Sequence, residues 1–294
     1  LFENQTLSGD FGNVIYNSNP DQFFIEVAIE NNVHDDSFID LRSMGYGAAW
    51  GDYDNDDDFD LYLSNWGRNK LFRNDGNNFI DVTDLYNVQS DSLSNGASWG
   101  DFNNDGRLDL WAGNIRRIDD LFLNTPIVEW SNEFSPNFLT ATQDILAGDY
   151  NNDGWLDAFT PGLEMINPPP GPKYSSLLYK NVSLNSDHNW IKINLEGAKN
   201  GVSNSGWSHE SNKSAIGARV VITYFDGSIQ SREVIAGKGH GSMDALELHF
   251  GLGDVNQIQN IMVRWPSMDV YTNQQKIITY DGPFDANKNY RIVE

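Results

Sequence analysis

Apolar residues occur along this chain in short runs, and turns rich in Asp, Asn and Gly separate the runs. After residue 188, apolar and polar positions alternate, which is the period of half-buried strands. The predicted strands lie at 190–193, 218–222, 230–234, 246–249, 261–263 and 276–279. Asp226 and Gly227 form a hairpin-turn signal between two of them. The pattern therefore predicts an all-β protein.

The strongest repeated pattern is an acidic loop of nine residues that occurs three times, at 52–60, 101–109 and 149–157. In each copy, side chains with oxygen atoms occupy positions 1, 3, 5 and 9, and position 8 is apolar. Position 6 is Gly in two copies and Asp57 in the first. A tight turn needs a positive φ angle there, which Gly adopts freely and Asp tolerates better than most residues.

This spacing is typical of a calcium loop, because Ca²⁺ binds six to eight oxygen atoms that alternate side chains can supply. The predicted side-chain ligands are Asp52, Asp54, Asp56 and Asp60; Asp101, Asn103, Asp105 and Asp109; and Asp149, Asn151, Asp153 and Asp157. A backbone carbonyl at position 7 completes each shell, from Asp58, Arg107 and Trp155. The sequence therefore predicts three bound Ca²⁺ ions.

Two other interpretations of the loops are an EF-hand and a plain acidic turn. An EF-hand needs a bidentate Glu at position 12 and flanking helices, but position 12 is Leu63, Ala112 and Thr160, and the flanks have the pattern of strands. Plain acidic turns would also be rich in Asp, Asn and Gly. Turn chemistry requires no oxygen at position 9, however, so three copies in one register favour metal binding.

The repeat extends beyond the loop, with spacings of 49 and 48 residues between its copies. Trp50 and Trp99 precede the first two loops at one repeat position, and we predict that they belong to the blade cores. A Leu-Phe or Leu-Tyr pair that ends in Asn74, Asn124 or Asn181 follows each loop. A propeller blade of about four short antiparallel strands fits this length.

These residues resemble the FG-GAP or VCBS repeat over roughly residues 40–183, which implies blades of a calcium-binding β-propeller of the integrin-α type. The departures are Asp57 at position 6 and Asn at position 3 of the later loops, which should lower calcium affinity modestly. Residues 1–4 and 24–27 match the end of a repeat without its loop. The expectation is a partial propeller, completed by upstream blades, by the second domain or by another copy of the chain.

The rest of the chain resembles the ASPIC/UnbV domain that follows such repeats in the cartilage acidic protein-like family. The matching stretches are 188–190, 214–220, 232–234, 248–253 and 263–267. The resemblance implies propeller blades in residues 1–185 and a β-sandwich-like domain in 186–294. We also expect this second domain to bury an apolar face against the last blade.

Composition narrows the class of partner. The formal net charge of −23 argues against nucleic acid and anionic membranes. About half of the excess acidity lies in the loops. The absence of cysteine excludes disulfides and thiolate sites, and no apolar run is long enough to insert into a membrane. Because millimolar Ca²⁺ is found outside cells, we expect an extracellular or cell-surface protein.

No catalytic motif occurs, and no catalytic residue is predicted. His188 and His249 are interpreted as structural hydrogen-bonding residues, and the Gly-flanked His240 is the best candidate for a binding loop. The function expected is a calcium-stabilised binding or adhesion protein that recognises a protein or a polysaccharide. The alternatives are a carbohydrate-active enzyme, either a polysaccharide lyase or a hydrolase, and a self-assembling structural subunit.

Overall fold

The computed structural model describes residues 16–19, 22–26, 44–76, 78–90, 93–126, 131–132, 140–162, 176–182, 187–198, 211–238, 241–268 and 274–294. The strands of the amino-terminal half are β1 (Tyr16–Asn19), β2 (Gln22–Glu26), β3 (Met44–Gly51), β4 (Asp60–Trp66), β5 (Lys70–Asn74), β6 (Phe79–Asp81), β7 (Leu93–Gly100), β8 (Asp109–Arg117), β9 (Asp120–Leu123), β10 (Ser131–Asn132), β11 (Thr140–Ala141), β12 (Leu146–Gly148), β13 (Asp157–Thr160) and β14 (Leu177–Tyr179). The strands of the carboxy-terminal half are β15 (Asn189–Glu196), β16 (Arg219–Thr223), β17 (Ile229–Glu233), β18 (Leu248–Gly253), β19 (Gln257–Met268), β20 (Gln275–Asp285) and β21 (Lys288–Val293). One helical turn, α1 (Thr83–Tyr86), follows β6, and no helix in these ranges is long and apolar enough to cross a membrane.

Three blades are built from antiparallel neighbours in chain order. The first blade is β3 to β6, the second is β7 to β10, and the third is β12 to β14, while β11 pairs with β8. The same register closes every loop, with Gly51 opposite Asp60, Gly100 opposite Asp109 and Gly148 opposite Asp157. The predicted four-stranded blade is confirmed twice, and strands rather than EF-hand helices flank the loops.

Each blade packs against the one before it. Trp99 of the second blade stacks on Tyr53 of the first, with ring centroids 6.0 Å apart, and its Nε1 donates to the carbonyl of Ala49 at 3.1 Å. One buried cluster joins the first two blades, and a second cluster joins Phe102 and Trp111 of the second blade to the third. The apolar core of this half therefore lies between the blades.

The two ends of this row of blades are open within the described residues. Trp50 is 40% exposed, so the prediction that it belongs to a blade core is wrong, because it lies on the side of the first blade that faces away from the second. At the other end, Tyr150 is 53% exposed, whereas Tyr53 and Phe102 at the same repeat position are buried. The described blades form a partial propeller, as predicted.

The carboxy-terminal half is a sandwich of two sheets, ordered β18-β15-β21 and β17-β16-β19-β20. Buried residues from both sheets form one core, including Ile193 and Phe250 from the first and Val220 and Trp265 from the second. Each of the six predicted strands overlaps a strand of the sandwich, and so the predicted sandwich-like domain is confirmed. The sequence reasoning missed β21, which pairs in parallel with β15 and has no simple alternation of apolar residues.

Several predictions fall on residues outside the described ranges. Residues 1–4 of the proposed half-repeat, the candidate binding residue His240 and the predicted domain boundary at residue 185 all lie there. Part of the matching segment at 24–27 is described, and it lies in β2, which forms a hairpin with β1.

Candidate metal sites in the three loops

The three acidic loops share one pattern of hydrogen bonds. The carboxylate at position 1 accepts the backbone N–H groups of positions 5 and 6, at 2.8–3.1 Å. The carboxylate at position 5 accepts the N–H of position 7, at 2.8–3.1 Å. The carboxylate at position 9 accepts the N–H of position 2 and that of the Asn after the Leu-Phe or Leu-Tyr pair, at 2.8–3.2 Å. These bonds turn the backbone around the carboxylates.

Position 4 was not singled out from the sequence, although it is Asn in every copy. Asn55 donates its side-chain N–H to the carbonyl of Gly106 in the second loop, and Asn104 donates to Gly154 in the third, both at 3.1 Å. Both Asn residues have left-handed φ angles of 60° and 56°, which Asn tolerates. Position 4 therefore links each loop to the next.

The Asn that ends each Leu-Phe or Leu-Tyr motif provides a second link. Asn124 donates its side-chain N–H to the carbonyl of Tyr53 at 2.9 Å, and Asn181 donates to that of Phe102 at 2.7 Å. In each case the acceptor is position 2 of the preceding loop. The three loops are thus held in a continuous row by side-chain to backbone hydrogen bonds.

The first loop brings three carboxylates together, with oxygen atoms of Asp52, Asp54 and Asp60 within 4.8 Å of one another. Burial raises the pKa of Asp60 to about 8. Burial and the neighbouring carboxylates of Asp56 and Asp52 raise the pKa of Asp54 to about 6. The pKa of Asp52 is also raised, chiefly by burial. For Asp52 and Asp54, burial outweighs the opposite effect of the nearby arginines on the pKa.

The second and third loops also contain buried carboxylates with raised pKa values, although they have fewer acidic residues than the first loop. Burial raises the pKa of Asp101 to about 7, and it raises the pKa values of Asp109 and Asp157 as well. At position 5, Asp105 accepts the side-chain amide of Asn103 at 3.0 Å, and Asp153 accepts the equivalent amide of Asn151 at 2.8 Å. The guanidinium of Arg107 also contacts Asp105.

The donor set of the loops fits a hard cation such as Ca²⁺. Every predicted side-chain ligand is a carboxylate or an amide oxygen, with no His or Cys among them. Buried carboxylates close to one another are costly without a counter-ion, and the raised pKa values express this cost. A bound divalent cation would supply the missing charge, held by the predicted ligands of each loop.

The carboxy-terminal sandwich contacts all three loops. Arg219 lies 3.0 Å from Asp57 in the first loop, and the ammonium of Lys192 lies 2.9 Å from Asp149 in the third. The N–H of Gly253 donates to the carbonyl of Asn104 in the second loop at 2.8 Å. The buried core cluster of the sandwich contains no blade residue. The sandwich thus contacts the first two loops as well as the last blade, where the ring of Trp190 lies against Gly154 and Ala245 lies near Gly148, and many of these contacts join charged and polar groups.

Two histidines take part in this docking. His188 hydrogen-bonds to the carbonyl of Asn103 at 2.8 Å, and His249 hydrogen-bonds through Nε2 to that of Gly154 at 3.0 Å. Burial lowers the pKa of His249 to about 4, so its ring is neutral near pH 7 and donates from Nε2. Both histidines act as structural hydrogen-bonding residues, as interpreted from the sequence.

A cavity of about 170 Å³ lies between the blades and the sandwich. Among the residues that the structure describes, three carboxylates outside the loops line it: Glu233, Asp244 and Glu247. Asp244 pairs with Lys238 and accepts the N–H of Ala147, and Glu247 pairs with Lys192. Two of the three carboxylates are therefore committed to contacts that hold the structure together.

Comparison with protein families agrees with this architecture. The family model described as FG-GAP-like repeat matches residues 52–112, which include the first two loops. The family model described as ASPIC and UnbV matches residues 208–294. No curated protein matches the chain significantly. The third loop, at 149–157, lies outside both matches but repeats the hydrogen bonds of the first two. The chain thus combines FG-GAP-like repeat blades with a carboxy-terminal ASPIC/UnbV domain.

Proposed function

We propose that this protein is an extracellular, calcium-stabilised binding module that recognises a protein or a polysaccharide. The observation that carries the calcium part is the hydrogen-bond pattern shared by three loops, together with buried carboxylates of raised pKa in each of them. Without a bound cation, the buried and mutually repelling carboxylates of each loop lower the stability of the folded protein. Extracellular calcium is abundant enough to fill sites of modest affinity.

The metal in this proposal is structural. Four side chains and one carbonyl per loop leave about one to three positions for water, so the ion has little room for a substrate. The sandwich also contacts all three loops, which limits access to them from that side. If the dissociation constant of each site is ten to a hundred times lower than the ambient calcium concentration, each bound ion adds about 1.4 to 2.7 kcal/mol to the free energy of unfolding.

The partner in this proposal binds exposed apolar residues of the third blade. On the third blade, Tyr150, Phe159, Leu178 and Val182 are 39–80% exposed, and Phe159 lies directly opposite Leu178 in the sheet. Exposed apolar groups that lie close together on a folded protein mark interaction sites. The net charge of −23 disfavours nucleic acid and anionic membranes as partners. A glycan array and a pull-down, each run with calcium and with EDTA, identify the class of partner.

A self-assembling subunit is the second candidate, and the same face of the third blade favours it. In the first two blades the following blade covers the residue at position 2, whereas Tyr150 has no such cover within the described residues. Another copy of the chain, or further blades, could cover this face. Size-exclusion chromatography with light scattering distinguishes these cases, since only self-assembly gives a mass above one chain of 33.1 kDa.

A carbohydrate-active enzyme is the third candidate, and the cavity between the blades and the sandwich is where its acids would lie. We propose that the cavity is not catalytic, because Asp244 and Glu247 are held by lysines. Release of reducing ends or of unsaturated sugars from polysaccharides during the array experiment would contradict this proposal.

Asp105→Ala tests the structural role of the metal, and Asp281→Ala, which removes an exposed carboxylate from β20, is its matched control. We expect Asp105→Ala to lower both the calcium stoichiometry, measured by equilibrium dialysis, and the melting temperature. Partner binding by the folded variant should be nearly unchanged. The proposal fails if EDTA leaves the wild-type melting temperature unchanged.

A further inference from the structure

The first loop differs from the residue that the other two share at positions 3, 6 and 8. At position 6 it has Asp57, where the other loops have Gly106 and Gly154, and at position 8 it has Phe59 in place of Leu. The backbone of Asp57 has φ of +75°, close to the values of +91° and +90° at the two glycines. A side chain there costs free energy that Gly avoids, so the Asp requires a separate explanation.

The residues at positions 6 and 8 contact the same residue of the sandwich, Arg219. Its guanidinium carbon lies 4.1 Å from the centre of the Phe59 ring, in a cation–π contact. Its Nη2 lies 3.0 Å from Oδ1 of Asp57 and also donates to the carbonyl of Asp57. Ser231, on the neighbouring strand β17, accepts from Nε at 2.9 Å and so fixes the guanidinium.

A second arginine completes the arrangement. Arg264 of β19 lies directly opposite Arg219 of β16 in the antiparallel ladder. Like charges that face each other across two strands destabilise a sheet unless an anion lies between them. Asp57 supplies such an anion, since Arg264 contacts its carboxylate through both Nη1, at 3.3 Å, and Nη2. The sandwich therefore presents a preformed pair of cations to one acidic side chain.

The first loop connects this contact to the predicted metal site. The N–H of Asp57 donates to Oδ2 of Asp52 at 3.1 Å, and Asp52 is a predicted ligand. Arg219 also lies 3.7 Å from the same oxygen. The carboxylate of Asp57 is not a predicted ligand, so an ion in the loop leaves it free to bind the arginines. An ion that orders the loop would also fix the direction in which Asp57 points.

We propose that Asp57 is a docking residue that holds the ASPIC/UnbV domain on the first blade through Arg219 and Arg264, and that metal binding in the first loop strengthens this docking. The docking part stands on the contacts alone. The coupling part rests on the proposed calcium site.

Asp57→Gly tests the docking part. A role of Asp57 in the loop alone and a role in docking predict opposite changes in the free energy of unfolding. If Asp57 served the loop alone, Gly would fit its φ angle and match the other two loops, so stability would stay the same or rise. We expect instead that the folding equilibrium constant, measured by urea unfolding in EDTA, falls about tenfold, as for loss of a charge-assisted contact. Stability equal to or above wild type would overturn the docking role.

A double-mutant cycle adds Arg264→Met alone and together with Asp57→Gly. We expect the double variant to lose less stability than the sum of the single variants, and additive losses would refute a direct link. Arg68→Met is the matched control, since Arg68 pairs with Asp84 on the surface, with side chains 46% and 80% exposed. Arg68→Met should change the free energy of unfolding only slightly.

Calcium titration of Arg264→Met tests the coupling part. If Arg264 acted only through its positive charge, its removal would make the first loop bind calcium more tightly. Coupling predicts weaker binding at one site, by about threefold to tenfold, because affinity and docking are linked reciprocally. Tighter binding would refute the coupling. If the wild type binds no calcium at all, the proposed function fails, whereas the urea cycle still decides the docking role.

Discussion

The ammonium of Lys192, in the first strand of the sandwich, lies 2.9 Å from Oδ2 of Asp149, the first residue of the third loop. The two side chains are 2% and 1% exposed, so this ion pair is buried between the two halves of the protein. Lys192 also lies 3.0 Å from Glu247. The positive charge of Lys192 therefore offsets the negative charges of Asp149 in the third loop and of Glu247 in the sandwich.

Lys192→Met should destabilise the protein by about 3 to 5 kcal/mol in EDTA, because removing one partner of a buried pair leaves the other uncompensated. In saturating calcium the loss should be smaller, since an ion in the third loop would supply charge beside Asp149. Urea unfolding with and without calcium measures both values. Equal losses in the two conditions would show that no cation binds near Asp149.

Lys180→Met is the matched control for this change. Lys180 lies 3.9 Å from Asp153 of the same loop, but its side chain is 54% exposed. Exposed pairs contribute about 0 to 1 kcal/mol. A loss as large as that of Lys192→Met would mean that net charge, rather than burial of the pair, determines the effect.

The metal-free protein should lose stability as the pH rises, the opposite of ordinary acid denaturation. Burial raises the pKa of Asp60 to about 8 and that of Asp101 to about 7, above the usual value of 3.8. Between the unfolded and the folded pKa, the folded state holds the extra protons, so the free energy of unfolding falls with rising pH. His249, whose pKa is lowered to about 4, has the opposite effect but only below about pH 6.5.

The window between about pH 6.5 and 8 therefore isolates the loop acids. In EDTA we expect a loss of about 2 kcal/mol across it, since one pKa unit corresponds to about 1.4 kcal/mol. In saturating calcium the loss should disappear, because the ion favours the ionised carboxylates. Urea unfolding at the two pH values, with each additive, measures this, and an equal slope in calcium would contradict binding at these acids.

The strands and loops were predictable because their signals are local and repeated. Positions 1, 5 and 9 of the loops recur in three copies, and the structure gives each the same backbone partners. The Asn at position 4 carried an equally regular signal that was overlooked. Its role depends on the neighbouring loop, about 50 residues away, as in the bond from Asn55 to Gly106.

The placement of the sandwich over the loops could not be predicted in the same way. Its contacts join residues that are far apart in sequence, such as Arg264 and Asp57, 207 positions apart. Neither residue has a local pattern that names the other. The exposure of Trp50 has a similar cause, because the equivalent Trp99 is partly buried only through the preceding blade, where it stacks on Tyr53.

Gly154→Ala should disrupt the docking of the sandwich on the third loop. A Cβ at this position would lie 1.9 Å from Nε1 of Trp190, so the Trp190 ring or the third loop would have to shift. Gly227→Ala provides the matched control, because Gly227 has a similar φ of +87° with no atom within 4 Å of its added Cβ. The control should cost about 1 to 2 kcal/mol through its backbone conformation alone, whereas Gly154→Ala should cost several kcal/mol more through the clash. Thermal unfolding of both variants, with hydrogen exchange of β15 as the local readout, tests this, and equal losses would show that Trp190 does not pack against the third loop.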